Sequence, residues 1–267
     1  MTSLDSYFSR IQYAGPLSQG HDTLVALMEH HLAAIPFEAI DVLLDKGIDI
    51  SPEAVDAKLI DRQRGGYCFE HNSLFARVLE ALGFEVERLA ARVLWGSHTD
   101  APPLPRTHMA LRVRSDDRDW LVDVGFGGAC PVAPLALDTA EAQSTFLEPF
   151  RVVPNDEGWL AEVHVGEHWK PMYALSRVPL IEVDYVPLNW YTSTHPGSPF
   201  KQHMMGAIVN HEGRYSLLDN RLTIRQRDGS QTSRALDAAA LESALVEHFG
   251  LRIEPDWLPL LDRLATR

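Results

Sequence analysis

The chain has few cysteines, fewer cations than anions and no long apolar run, and each shortage excludes a class of protein. Two cysteines in 267 residues cannot form a disulfide framework, which predicts a protein of the reducing cytoplasm. With 24 Lys and Arg against 37 Asp and Glu, the net charge of −13 argues against nucleic acid and anionic membranes as partners. No apolar run reaches the roughly 20 residues that span a bilayer, and the N-terminus does not resemble a signal peptide.

What is present is typical of a globular protein with a sizeable core: 45% hydrophobic and 23% charged residues. The first 83 residues are predicted to be mainly helical. Residues 21–35 carry an apolar face at helical spacing, and Ser51-Pro52-Glu53 is typical of a helix start. A further helix is expected to begin at or near Cys68 and to end at Gly83.

After residue 84 the pattern changes to short β-rich segments bounded by turn residues, which predicts a sheet or barrel in the middle of an α+β protein. These segments are 86–95, 108–114, 120–124 and 159–165. A crossing rich in Pro, Thr and Ser (191–200) then leads to two short strands and a last helix. We place them at 204–209, 214–218 and about 237–249.

The stretch RGGYCFEHN (64–72) raises the question of what Cys68 does. At a helix start, unpaired N–H groups and the macrodipole stabilise a thiolate. The two glycines before it would let a substrate or another backbone segment approach closely. Taken alone, however, the stretch favours a buried structural thiol.

A zinc ligand is the third alternative for Cys68, because His71 follows it at C-x-x-H spacing. A structural zinc site needs four ligands, usually in close pairs, and Cys130 has no second ligand beside it. We therefore predict no metal and interpret Cys130 as structural.

A base for a reactive thiol is found in a predicted hairpin of two alternating strands (108–114 and 120–124). Burying the apolar residues of both strands on one face sets the register. The facing pairs are then Val113–Trp120, Leu111–Val122 and Met109–Val124.

That register puts His108 opposite Gly125 and diagonal to Asp123, within reach of a hydrogen bond. Asp123 is the single charge in the apolar run LVDVGF, so its carboxylate must be paired. The pair either braces the hairpin end or acts as an oriented base for Cys68, as in a Cys-His-Asp triad. The pattern alone does not bring Cys68 to His108.

The motifs resemble those of the arylamine N-acetyltransferases in order and spacing. RGGYCFEHN resembles the active-site signature of that family; the other matching motifs are IPFEAI (35–40), THMAL (107–111), VDVGFGG (122–128) and WYTSTHPGSPF (190–200). The resemblance implies a cysteine-protease-like triad in which Cys68 accepts the acyl group, His108 is its base and Asp123 orients His108. It also implies three domains: a helical bundle (1–83), a β-barrel (84–190) and an α/β lid (191–267).

The implied reaction transfers an acetyl group from acetyl-CoA, as co-substrate, to arylamines, arylhydrazines or arylhydroxylamines in xenobiotic metabolism. It proceeds by a ping-pong mechanism through an acetyl-cysteine. By the same resemblance, the residues that bind CoA are Thr107, Phe126, Gly127, Trp95 and Phe200. Phe37 and Phe126 are expected to line the substrate pocket. Without the resemblance, the preferred interpretation of the GFGG glycines (125–128) is that they end the hairpin; the alternative is that they expose N–H groups to a phosphate.

The chain departs from the family pattern at Ala39, where the family usually has asparagine, and a polar contact is expected to be missing there. Three alternatives to the acetyltransferase remain open. They are an amide synthase with a larger acyl thioester, a thiol hydrolase or peptidase with the same triad, and a binding protein without catalysis. Acyl transfer to an arylamine rather than to water separates the acetyltransferase and the amide synthase from the hydrolase and the binding protein.

Overall fold

The structure, a computed structural model, describes residues 3–97 and 102–266. The helices are α1 (Leu4–Arg10), α2 (His21–Ala34), α3 (Ile40–Leu43), α4 (Pro52–Asp56), α5 (Cys68–Ala81), α6 (Tyr185–Thr194), α7 (Pro199–Gln202), α8 (Ala238–Glu247) and α9 (Leu258–Leu264). The strands are β1 (Phe37–Glu38), β2 (Glu85–Val93), β3 (His108–Ser115), β4 (Arg118–Val122), β5 (Leu135–Ala136), β6 (Phe150–Pro154), β7 (Gly158–Val165), β8 (His168–Pro179), β9 (Met205–Asn210), β10 (Gly213–Leu218), β11 (Arg221–Gln226) and β12 (Gln231–Ala235).

Seven antiparallel strands form the larger sheet, in the order β5-β4-β3-β2-β8-β7-β6. Gln143 connects its two edges. Its backbone exchanges hydrogen bonds of 2.7 and 2.9 Å with Phe150 at the start of β6. Its side-chain amide bonds the N–H and the carbonyl of Ala136, at the end of β5, at 2.7 and 3.0 Å. The sheet is therefore a nearly closed barrel with few unpaired edge groups.

The smaller antiparallel sheet has the order β1-β9-β10-β11-β12. Helices α8 and α9 cover it through a cluster that includes Leu245, Phe249 and Trp257. Its edge strand β1 comes from the N-terminal part of the chain, because Phe37 pairs with Ala207 and Glu38 with Gly206. Phe37 is thus held by the C-terminal sheet although it lies close in sequence to the N-terminal helices.

The predicted elements before residue 85 are confirmed. Helix α2 buries Leu24, Leu27, Met28 and His31 at helical spacing, and α4 begins at Pro52. A π-helical turn (Ala57–Asp61) continues α4 and ends before Gly65. Helix α5 begins at Cys68, and Gly83 beyond its end has a φ of +92°, a backbone conformation that favours glycine.

The crossing rich in Pro, Thr and Ser at 191–200 is helical for most of its length, because α6 runs through Thr194 and α7 begins at Pro199. Hydroxyl groups of α6 donate to carbonyl groups one turn earlier: Thr192 to Leu188 at 2.8 Å and Ser193 to Asn189 at 2.8 Å. A helix can therefore hold these Ser and Thr residues without unpaired polar atoms. Their composition alone did not indicate a helix.

Within the described ranges, no helix is long and apolar enough to cross a membrane. The division into domains at residues 83 and 190 stays a prediction.

Candidate active site

Cys68 is the first residue of α5 and only 3% exposed. The helix start is held by Glu70, whose carboxylate accepts the N–H of Tyr67 at 2.9 Å and an ammonium hydrogen of Lys58 at 2.8 Å. The Cys68 thiol lies 3.6 Å from the carbonyl oxygen of Thr107. The nucleophile candidate therefore lies at the positive end of a helix whose own first acid is already neutralised by a buried lysine.

The glycines before Cys68 make room for the protein's own chain. A Cβ on Gly65 would collide with the carbonyl oxygen of Pro36, and one on Gly66 would lie 2.7 Å from the Glu70 carboxylate. Both glycines are buried. Of the two expected roles, close approach of another backbone segment is the one that the structure shows.

The predicted hairpin register is confirmed where the strands pair: Leu111 faces Val122 and Val113 faces Trp120. The ladder ends at Val122, so Met109 and Val124 are not part of it. Beyond that point the chain turns so that Asp123 Oδ2 lies 2.7 Å from His108 Nε2. The structure brings His108 and Asp123 together as the apolar pattern predicted, in a site where they are 2% and 0% exposed.

Cys68 and His108 are also brought together, which the sequence pattern could not show. Nε2 of His108 bonds Asp123, and the Cys68 side chain lies close enough to interact with the same ring. Burial lowers the pKa of His108, but the Asp123 carboxylate and the Cys68 side chain outweigh it and raise the pKa to about 10. Burial raises the pKa of Asp123, but His108 and two N–H donors lower it overall. This environment favours a charged pair between an imidazolium and a carboxylate.

Asp123 is held in place by three further groups. Its Oδ1 accepts the side-chain N–H of Asn72 at 2.9 Å and the backbone N–H of Gly125 at 2.8 Å. The Cys130 thiol donates to the Asp123 carbonyl at 3.1 Å, which agrees with the structural role predicted for that cysteine. With His108 on the other oxygen, both oxygens of the buried carboxylate have hydrogen-bond partners.

The loop after β4 passes unusually close to the nucleophile. A Cβ on Gly125 would lie 2.7 Å from Cα of Cys68 and 2.8 Å from the Asn72 amide nitrogen. Only a residue without a side chain fits there. The glycine therefore sets the distance between the helix that carries Cys68 and the strand that carries Asp123.

Aromatic rings surround the reacting groups. Phe126 packs edge-on against His108, with ring centroids 5.1 Å apart, and Tyr173 lies 4.8 Å from both rings. Phe200 lies 6.0 Å from Phe37 and 5.6 Å from Tyr67. Phe37, Tyr67 and Cys68 belong to one apolar cluster.

Of the other residues predicted to bind CoA, Gly127 and Thr107 contact Phe37 and Cys68, whereas Trp95 is exposed. Gly127 has a φ of +73° and packs on Phe37, since a Cβ there would lie 3.2 Å from that ring. Thr107 contacts Cys68 through its carbonyl oxygen. Trp95 lies beyond the end of β2 and is 46% exposed, away from the buried rings.

Ala39 is the N-cap of α3 and makes no side-chain cap. The neighbouring Glu38 replaces that contact, because its carboxylate accepts the N–H of Ile40 at 2.9 Å. The other Glu38 oxygen accepts from Arg64 at 2.8 Å. The departure from the family pattern at Ala39 therefore leaves the helix start with a hydrogen-bond acceptor.

The sequence reasoning missed Asn72 and Tyr173. Asn72 donates to the Met109 carbonyl at 2.8 Å and accepts the Val124 N–H at 3.1 Å, besides holding Asp123. Its position one helical turn after Cys68 was an available signal, because an amide on the buried face of a helix needs partners. Tyr173 carried no local signal, since it lies in an apolar strand far along the chain.

Comparisons with known proteins find N-acetyltransferases similar to this chain. A family model for N-acetyltransferases matches residues 21–258. The arylamine N-acetyltransferases of Mycobacterium tuberculosis and Escherichia coli are 39% and 35% identical to this chain; each alignment spans 253 residues, 94% of this chain and 89% of the relative.

Solved structures show the same fold. The structure of the arylamine N-acetyltransferase of Mycobacterium marinum in complex with CoA has a TM-score of 0.93 and 39% identity, covering 98% of this chain and 99% of that one. The enzyme of Salmonella typhimurium has a TM-score of 0.91 and 32% identity, covering 100% of this chain and 99% of that one.

Proposed function

Since this chain belongs to the arylamine N-acetyltransferase family, we propose that it transfers an acetyl group from acetyl-CoA to aromatic amines in two steps through Cys68. The observation that carries the proposal is the buried arrangement around His108. One ring nitrogen is 2.7 Å from Asp123, and the Cys68 side chain lies close enough to interact with the same ring. Arylhydrazines and arylhydroxylamines are proposed as further acceptors, because they present the same ring with a nucleophilic nitrogen or oxygen.

In the first step the Cys68 thiolate attacks the thioester carbonyl carbon of acetyl-CoA. A new bond forms between Sγ and that carbon, and the carbon–sulfur bond to CoA breaks. The His108 imidazolium gives its Nδ1 proton to the departing CoA thiolate. Asp123 supports this transfer because it holds the ring orientation and stabilises the cation.

In the second step the amine nitrogen attacks the acetyl-cysteine carbonyl. His108, now neutral, takes the amine proton at Nδ1, and Cys68 leaves as a thiolate. The amide product departs and the ion pair between His108 and Cys68 is restored. We propose the backbone N–H of Cys68, at the start of α5, as a donor to the oxyanion of each step.

CoA carries several phosphate charges, and this protein has a net charge of −13. We therefore propose that CoA phosphates bind to backbone N–H groups of the Gly127 turn rather than to a basic surface. Thr107, Phe126 and Phe200 are proposed to contact the rest of the cofactor. We propose that Trp95, whose side chain is exposed, contacts the solvent-facing end of CoA.

The acceptor preference follows from the rings around the thiol. Phe37 and Phe126 offer an aromatic amine stacking and edge contacts that water and aliphatic amines cannot use. The buried setting of Cys68 also limits hydrolysis of the acetyl-cysteine. This supports a transferase over a thiol hydrolase with the same triad.

Intact-protein mass spectrometry tests the proposal. Wild type mixed with acetyl-CoA should gain one acetyl group, which maps to Cys68 and disappears when p-anisidine is added. Cys68→Ala should gain none, whereas Cys130→Ala should still gain one acetyl group, even if more slowly, because the Cys130 thiol only supports the Asp123 carbonyl. Absence of an adduct on the wild type would contradict the mechanism. Loss of the acetyl group to water at the same rate with and without the amine would indicate a hydrolase instead.

A further inference from the structure

A chain of hydrogen bonds runs from the N-terminal helix to the strand that carries Phe37. The Tyr7 hydroxyl is 2.8 Å from Nδ1 of His31, and Nε2 of His31 is 2.9 Å from Nδ1 of His71. Nε2 of His71 is 3.1 Å from the carbonyl oxygen of Pro36. Tyr7 is 2% exposed and both histidines 0%. The triad described above uses none of these groups.

The chemistry of the last acceptor fixes where each proton lies. A carbonyl oxygen can only accept, so His71 carries its proton on Nε2 and its Nδ1 is bare. That bare nitrogen accepts from Nε2–H of His31, whose own Nδ1 then accepts the hydroxyl hydrogen of Tyr7. The three bonds therefore have one direction, and both rings are neutral. Burial lowers the pKa of both histidines, to about 4 for His71, which agrees with neutral rings.

The end of the chain lies where Phe37 is positioned. The carbonyl of Pro36 also accepts the N–H of Gly66 at 3.3 Å, and it packs so closely on Gly65 that a Cβ there would collide with it. The His71 ring stacks beside the Phe37 ring, with centroids 6.5 Å apart and planes 20° apart. His71 thus contacts the strand of Phe37 through both its donor nitrogen and its ring face.

His71 also belongs to the helix of the nucleophile. It lies three residues after Cys68, and its backbone N–H bonds the Tyr67 carbonyl at 3.0 Å. The bond from His71 to Pro36 therefore joins the first turn of α5 to β1 directly. A change at this bond alters the distance between the thiol and the Phe37 ring without touching His108 or Asp123.

We propose that His71 is a positioning residue for the second half-reaction: its bond to Pro36 holds the Phe37 ring at the distance from Cys68 that an aromatic amine requires. The proposal rests on the function proposed above. The Pro36 carbonyl keeps the His71 proton on Nε2, and His31 and Tyr7 contribute by supplying a donor to the bare Nδ1 of His71 and of His31 in turn. Acetyl-CoA meets the Phe37 ring only indirectly, through Gly127 and Phe200, which pack on it and are proposed to bind CoA. The first half-reaction should therefore change less than the second.

Two substitutions at His71 distinguish the hydrogen bond at Nε2 from the one at Nδ1. In His71→Gln the amide nitrogen reaches the place of Nε2 and keeps a donor for Pro36, whereas His31 loses its acceptor. In His71→Asn the shorter side chain keeps an acceptor near the place of Nδ1 and loses the donor to Pro36. The two readouts are the rate of Cys68 acetylation by acetyl-CoA and the KM for p-anisidine.

His71→Asn should raise the KM for p-anisidine about five- to tenfold, the effect of one lost hydrogen bond, while the rate of Cys68 acetylation should change by less than about twofold. His71→Gln should keep both values within about twofold of wild type. His30→Asn is the matched control, because His30 also bonds a carbonyl, that of Ile11 at 2.9 Å. His30 lies on α2, the helix of His31, but is not part of this chain of hydrogen bonds. This control variant should leave both values unchanged.

Equal KM values in His71→Asn and His71→Gln would overturn the proposal, as would a KM in His71→Asn that stays at the wild-type value. If His71→Asn does not fold, His31→Asn, whose shorter side chain likewise loses the donor at the place of Nε2, tests the same chain one bond earlier and should raise the KM by a smaller factor. An unchanged KM in that variant would then overturn the proposal. Failure of the proposed function is a separate outcome, because wild type itself would then not gain an acetyl group.

Discussion

Asn72 lies four residues after Cys68 on the same helix, and its amide is 2.9 Å from the carboxylate of Asp123. One turn of α5 therefore carries both the proposed nucleophile and the group that holds Asp123. The same amide also bonds Met109 and Val124, on either side of the hairpin that carries His108. Asn72 is the link that fixes the hairpin end against the nucleophile helix.

Replacing Asn72 by Ala should lower both stability and acetylation. The Val124 N–H loses its partner, and a buried unsatisfied group costs about 1–3 kcal/mol. Asp123 Oδ1 keeps only the Gly125 N–H and is held less firmly. Urea unfolding and the rate of Cys68 acetylation measure the two effects. Asn155→Ala is the control, because Asn155 also caps two backbone N–H groups in a turn far from the site. It should lower stability alone; an equal loss of acetylation in that variant would mean that stability, not position, sets the rate.

Asp123→Asn should slow acetylation by about two orders of magnitude or more. Without the carboxylate, burial lowers the pKa of His108 and the cation that stabilises the thiolate is lost. The rate of Cys68 acetylation against pH measures this, and the loss should be large at pH 7. Asp138→Asn removes an exposed carboxylate paired with Arg118 and should not change the profile.

Gly125→Ala should abolish acetylation, because its methyl group would overlap Cα of Cys68 and the Asn72 amide. Either the helix or the loop must move, and the three reacting groups separate. Mass spectrometry after mixing with acetyl-CoA detects the loss. Gly20→Ala is the control, since the space around Gly20 is open to 3.7 Å. A normally acetylated Gly125→Ala would show that the loop can retreat without cost to the site.

Stability should fall on acidification because of His71. Its pKa is about 4 in the folded protein, lowered by burial, and about 6.5 when unfolded. The unfolded chain binds a proton first, so stability is complete above about pH 6.5 and is lost as pH falls towards 4, by about 3 kcal/mol. Urea unfolding at pH 7.5, 5.5 and 4.5 measures it. In His71→Gln the dependence over this range should shrink; identical pH curves for both proteins would contradict the assignment.

Lys58→Met should destabilise the protein by about 3–5 kcal/mol, because Glu70 and Asp41 would be left as buried carboxylates without their lysine. Adding Glu70→Gln to that variant should restore part of the loss, since one of the two charges is removed. Thermal unfolding of the single and double variants measures the coupling. Lys170→Met changes an exposed lysine and should shift the midpoint little. A double variant less stable than Lys58→Met would contradict this account.

Local pattern predicted the elements that depend on neighbours in sequence. The apolar face of residues 21–35 predicted α2, and the alternation at 111–113 and 120–122 predicted the register, because a one-residue slip would expose every apolar side chain. The same reasoning did not predict a helix within 191–200. There the helix depends on tertiary burial of Thr192 and Ser193 and on hydroxyl bonds within the helix, which composition does not reveal.

The sequence by itself determined that His108 and Asp123 share a face, that Cys68 begins a helix, and, through the order of its motifs, which family the chain resembles. The packing of α5 against the hairpin was decided only by the tertiary structure, since it depends on Gly125 and Asn72, whose contacts are far apart in sequence. The same holds for Phe37, which lies in β1 beside β9. Periodicity does not predict such contacts, because they depend on which helix and strand surfaces pack against each other when the chain buries its apolar residues.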